Sequence, residues 1–306
     1  MNLARQNTKA LNMRSSYSPA APNAPSAANL TTAVRTESAL SGQTLYGDDF
    51  SPAEIEKWFE HEREGYFNLY YRDADEQHTE SAEYTYSALA QAHGFDWLEE
   101  RQYAHALGIG SANGAELLPV LERSSRITIL EPSEGFVATE IQGKPVDYVK
   151  PQACGAMPFA NASFDLIICF SVLHHIPNVS TVLREMHRVL KPGGHVLLRE
   201  PTHSMGDWRS PRSGLTKNER GIPVPLFRNM LSSSGLHVLK ETRCNFSLMT
   251  RLEPVLGKPV WTIPWVVRLD AWLCRLPLWP RAYHAKTAWQ KLRPTGVAYV
   301  LEKPLR

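Results

Sequence analysis

The chain has 306 residues, 43% of them hydrophobic, with 33 Lys and Arg against 31 Asp and Glu for a net charge of +2. That length can bury a substantial core, and the near balance of charge offers no global field for nucleic acid, so no nucleic-acid partner is expected. Cys154, Cys169, Cys244 and Cys274 form no CxxC pair, which argues against a cysteine zinc site or a disulfide framework and fits a reducing cytoplasm; no metal is expected.

No apolar run approaches the roughly 18 to 20 residues of a bilayer span, and the N-terminus lacks the apolar stretch of a secretory signal. From Met1 to Thr36 there are four basic residues, no acid, and many Ala, Ser, Asn and Pro. Such a composition cannot pack, so residues 1–48 are expected to be a disordered tail; a transit peptide would have similar composition. Residues 49–102 are expected to be a helical cap. Ser51, Pro52 and Glu54 supply an N-cap, a proline at the first helical position and an acidic first turn. The cap is aromatic at Tyr66, Phe67, Tyr70, Tyr71, Tyr84 and Tyr86, for cover over a pocket or for packing on a sheet.

From Tyr103 onward, short apolar runs alternate with helix-length amphipathic stretches, the pattern of βαβ units. Strands are expected at 105–107, 127–130, 146–149, 165–170, 195–199, 236–241 and 297–301. The implied fold class is α/β: a Rossmann-like, seven-stranded, mostly parallel sheet with helices on both faces, over 103–246 and a last strand in 295–306.

The first strand runs into Gly108-Ile109-Gly110-Ser111-Ala112-Asn113-Gly114, where glycines permit close backbone approach to a ligand. A dinucleotide GxGxxG would need glycine at Asn113, which disfavours NAD. Glu131 ends the next strand, where a carboxylate can accept from both hydroxyls of a ribose.

Two blocks then carry a resemblance. The first, Met157 to Pro177, contains the turn Met157-Pro158-Phe159, the strand Ser163-Phe164-Asp165-Leu166-Ile167 and the segment Leu173-His174-His175-Ile176-Pro177; the second runs from Met186 through Lys191-Pro192-Gly193-Gly194 to Leu198. In order and spacing they resemble the class I methyltransferases that use S-adenosylmethionine (SAM), with a helix, a KPGG turn and a fifth strand in the second block. The resemblance covers Tyr103 to Pro201 and, more loosely, the chain to Glu241. It implies SAM as cofactor, held by Gly108, Gly110, Gly114, Glu131, Cys154, Met157, Phe159 and Phe170. Three positions depart from the family pattern: Ala106 and Ala112 in the glycine loop, and Ala153-Cys154 where an acid usually meets the adenine amine. Adenine is then expected to use backbone amides near Cys154 and Gly155, with Met157 and Phe159 as walls.

Methyl transfer to a hydroxyl needs a base, for which His174 and His203 are the candidates. The acceptor is expected to be a small molecule, a sugar or a lipid-linked group, in a cavity bordered by Tyr66, Tyr70 and Phe170. Residues 204–223 resemble the segment after the fifth strand in methyltransferases of bacterial surface-glycan pathways. Residues 247–294 form an insert with Trp261, Trp265, Trp272, Trp279 and Trp289. From Lys258 to Arg293 it carries seven basic residues against Asp270 alone. It is expected to be helical, either a substrate cap or a surface for peripheral membrane contact. A nicotinamide-dependent oxidoreductase and a non-catalytic SAM-fold binding module are the alternative functions.

Overall fold

The computed structural model describes residues 35–77, 84–98, 100–208 and 210–305. The expected tail lies outside these residues up to 34, but its last part does not: residues 35–41 form a helix, α1, and Leu45 is buried in the main core. Aromatic packing explains the difference, because Tyr46 stacks on Trp208 at 4.8 Å and meets the edge of Phe50 at 5.2 Å.

Helix α2 (Pro52–Gln77) starts as the sequence predicts. The Ser51 N–H donates to Glu54 Oε2 at 2.8 Å, and the Glu54 N–H donates back to Ser51 Oγ at 3.4 Å, closing a capping box. After α3 (Ser87–His93) come β1 (Tyr103–Ile109), β2 (Ser124–Leu130), a small hairpin of β3 (Glu140–Ile141) and β4 (Lys144–Pro145), β5 (Asp147–Val149) and β6 (Phe164–Phe170). Helix α4 (Val179–Val189), β7 (Leu190–Pro201), α5 (Val224–Ser234) and β8 (His237–Phe246) follow. The insert holds α6 (Glu253–Leu256), α7 (Pro264–Arg275) and α8 (Ala288–Lys291), and β9 (Pro294–Glu302) ends the sheet.

The sheet order is β5-β2-β1-β6-β7-β9-β8, with β9 antiparallel to both neighbours and the other pairs parallel. Each of the seven expected strands overlaps one of these. The KPGG segment is different: it is absorbed into β7, with Gly193 at φ +72°, and pairs onward to Lys303 through the Gly193 N–H.

Alternating strand residues divide two cores. Leu107, Ile167, Cys169, Val196 and Leu198 face α4 and α5, while Ala106, Ile127, Leu166, Ile168 and Leu197 face the opposite side with Phe95 and Leu117. The insert extends the second side: Val260, Trp261, Val266 and Val267 pack with Leu89 of α3 and with Cys244 and Phe246 of β8. The chain order reverses between β1 and β6, so ligands of this architecture are expected beyond the carboxyl ends of those strands.

Candidate functional site

Two acid-proline pairs end strands at this edge, Glu131-Pro132 after β2 and Glu200-Pro201 in β7. Both carboxylates are buried and both organise a loop. Glu131 accepts the Ala112 N–H at 3.2 Å on one oxygen and the Ser133 N–H at 3.0 Å on the other, so it braces the glycine loop. Burial raises its pKa, and the two N–H bonds work against that rise. In the loop, Gly110, Ala112 and Gly114 have φ of +61°, +45° and +77°. Added methyl groups at Gly110 and Gly114 would run into Val172 and Ile141, and with the positive φ both positions favour glycine. These residues fit SAM: each Glu131 oxygen takes a single N–H and keeps a lone pair for a ribose hydroxyl.

Not every expected contact residue gathers here. Cys154 is exposed, its carbonyl accepts the Asn178 side-chain amide at 2.5 Å, and the Gly155 N–H is already donated to Gln152 at 2.9 Å. Met157 is buried, and its N–H donates to Glu185 at 2.8 Å. Phe159 is a correction: its ring packs 4.9 Å from Phe164, the first residue of β6, and lines a cavity with His105, Arg126 and Asp147 at the amino-terminal edge of the sheet. Phe170 is also drawn away from a ligand, into the second core, with the Phe95 ring edge 6.0 Å away. Tyr66 stands over the edge, whereas the side chains of Tyr70 and Tyr71 lie outside the described residues.

The segment after β6 is clamped from two sides. Glu200 accepts the N–H groups of Val172, Leu173 and His174 at 2.9, 2.8 and 3.2 Å. The buried Arg220 guanidinium donates to the carbonyls of Leu173, His174, Ile176, Pro177 and Tyr46. Helix α2 grips the same turn with three residues spaced by four: Trp58 Nε1 donates to the His175 carbonyl at 2.7 Å, Glu62 holds His175 Nδ1 at 2.9 Å, and the Tyr66 ring stands 5.6 Å from the His175 ring.

The two candidate bases differ in charge. His174 is buried between Glu200 Oε2 at 2.8 Å and Glu219 Oε1 at 3.5 Å. Burial lowers its pKa, but the two facing carboxylates prevail and hold it at about 9, so it is an imidazolium at neutral pH and cannot accept a proton. This corrects the expectation for His174. His203 is half-buried, and burial together with Arg293 pushes its pKa down to about 4. Its Nδ1 faces the Thr295 carbonyl at 3.4 Å, which leaves Nε2 as the acceptor nitrogen.

Glu62, Glu200, Glu219 and Arg220 escaped sequence reasoning. For Glu200 a signal was present, since the strand-terminal acid-proline pattern that marks Glu131 occurs there again. The Glu62 contact spans 113 residues and has no local signature.

The family model for the methyltransferase domain matches residues 107–198. Over 107 residues the chain is 32% identical to a sterol 4-C-methyltransferase of Caenorhabditis elegans, covering 33% of this chain and 32% of that one. Over 114 residues it is 30% identical to a ubiquinone biosynthesis O-methyltransferase of Pseudomonas aeruginosa, covering 34% of this chain and 48% of that one. The chain thus spans between a third and a half of the length of these relatives. Among solved structures, a SAM-dependent methyltransferase of Mesorhizobium loti is similar at 18% identity, with a TM-score of 0.48 over 71% of this chain and 98% of that one. The [4+2]-cyclase SpnF is similar at 17% identity, with a TM-score of 0.45 over 71% and 80%. The chain therefore carries, at residues 107–198, a match to the methyltransferase domain.

Proposed function

We propose that this chain is a SAM-dependent methyltransferase that methylates an oxygen of a small-molecule, sugar or lipid-linked acceptor. The observation that carries the reading is the match of residues 107–198 to the methyltransferase domain, in which Glu131 braces the glycine loop beside the expected ribose position. When bound, SAM supplies a methyl carbon activated by its sulfonium. The chain aligns the acceptor behind that carbon and excludes water, a task suited to α2, which lies across the carboxyl edge through Trp58, Glu62 and Tyr66. His203, neutral through the physiological range, takes the hydroxyl proton on Nε2.

Two features favour an apolar or lipid-linked acceptor. The relatives are named for sterol and ubiquinone methylation. Helix α7 turns Trp265, Leu269 and Trp272 outward, with Arg268 and Arg275 on the same exposed side, a face suited to an anionic membrane surface. Among the described residues no helix is long and apolar enough to cross a membrane.

Incubation of the full chain with methyl-labelled SAM and fractionated cell extract tests the reading. Label should enter a small organic-soluble product in a base-stable, oxygen-linked form, and His203→Ala should lower turnover with SAM affinity unchanged. Label on nitrogen or carbon would refute the oxygen assignment, and full turnover in His203→Ala would remove the base.

A further inference from the structure

We infer that His174, His175 and Glu219, with Glu62 beside them, form a binding site for one divalent transition-metal cation of the zinc type. A ring nitrogen of each histidine and a carboxylate oxygen of Glu219 all lie within 4.8 Å of one another. The telling separation is His174 Nε2 to Glu219 Oε1, 3.5 Å. A charge-assisted hydrogen bond closes to about 2.7 to 2.9 Å. Two ligands of a tetrahedral zinc ion, each about 2.1 Å from the metal, stand roughly 3.4 Å apart.

The far side of His174 has the partner that metal-binding histidines use. Its Nδ1 is 2.8 Å from Glu200 Oε2, and Glu200 is fully buried and held by three backbone N–H groups. A carboxylate in that position holds the proton on Nδ1, and a cation at Nε2 would displace the second proton of the imidazolium. His175 has its own carboxylate, Glu62, and Thr216 Oγ1 donates to Glu62 and lies 3.2 Å from Glu219, tying the two acids together. Two imidazoles with carboxylates suit zinc, cobalt or iron; magnesium and calcium favour all-oxygen sets.

Glu62, Glu200 and Glu219 are three acids in one buried cluster. Arg220 donates to five backbone carbonyls, and Arg212 donates to those of Met205, Thr216, Lys217 and Glu219, so the hydrogen bonds of both guanidiniums go to the backbone rather than to these carboxylates. His175 is half-buried and gives the cation its path from solvent. Bound there, the metal fastens α2, through Glu62, to the turn after β6 and the connection after β7. Such a site is independent of methyl transfer.

The full chain, stripped with chelator and titrated without SAM, provides the test. It should bind one equivalent of Zn2+, and Co2+ should give tetrahedral ligand-field absorption. His175→Ala and Glu219→Gln should abolish that absorption, and Glu200→Gln should weaken affinity by about 10- to 100-fold. Absence of stoichiometric binding to the unaltered chain, or undiminished binding by folded Glu219→Gln, would overturn the site. If the variants do not fold, nitrogen-15 histidine spectra of the unaltered chain decide. Zn2+ should perturb the rings of His174 and His175, and perturbation of other histidines or of none would refute the assignment. Because SAM is absent, loss of metal binding leaves the methyltransferase reading intact, and loss of SAM binding leaves this one intact.

Discussion

Glu131 and Glu116 brace the same loop at adjacent residues, Ala112 and Ser111, and burial raises the pKa of both. Glu131 accepts the Ala112 N–H and keeps lone pairs for a ligand, so Glu131→Ala should weaken SAM binding by about 1 to 3 kcal/mol, read by calorimetric titration. Glu116 is buried and accepts from the Ser111 hydroxyl at 2.6 Å, and burial raises its pKa to about 7. A carboxyl whose pKa is higher folded than unfolded holds its proton longer in the native state. Stability is therefore greatest below the unfolded pKa, near pH 4.5, and falls as pH rises toward and through 7. The loss should reach about 3 kcal/mol, and Glu116→Gln should remove it in denaturation curves taken across that range. Legibility in the sequence ended at this scale. The His174-His175 pair and its rim position could be read, but which ring lies between Glu200 and Glu219 depends on side-chain direction in a turn shaped by Arg220, 46 residues along the chain from His174. Phe159 failed for a related reason: proximity in sequence to Met157 did not reveal that the intervening turn carries its ring to the other edge.

Among the elements, α7 depends on one residue. Asp270 is fully buried and accepts the N–H groups of Asn245 and Phe246 at 3.1 and 2.6 Å, joining the helix to β8 at the sheet's outer edge. Asp270→Ala leaves two inward-facing donors unpaired and should destabilise by about 1 to 3 kcal/mol for each, measured by urea denaturation. The helix's outer face makes a separate prediction. Trp265→Glu with Trp272→Glu should abolish co-sedimentation with anionic vesicles without shifting the urea midpoint downward, and retention on vesicles would refute membrane contact. Elements were the most legible level. Strand periodicity located all seven strands, and Ser51, Pro52 and Glu54 located the start of α2. The helix at residues 35–41 was hidden because its ties run from Arg35 to Asp49, Glu54 and the Phe50 ring, outside a stretch whose beginning is too polar to suggest a core.

At the scale of the whole molecule, the sheet supplies a rigid carboxyl edge and three separate segments close over it: α2, the turn after β6 and the connection after β7. Trp58, Glu62 and Arg220 join them, so removal of the Glu62 carboxylate should loosen the cap more than the sheet. In Glu62→Gln, amide exchange should accelerate in α2 and around His175 while β1, β6 and β7 keep their protection; uniform acceleration would deny that the cap opens separately. The reading of this edge as a methyl-donor site is tested most directly by calorimetric titration of the full chain with SAM and, in parallel, with NADH. One SAM should bind per chain, more weakly in Glu131→Ala, and NADH should not bind; tight NADH binding without SAM binding would refute the methyl-donor reading.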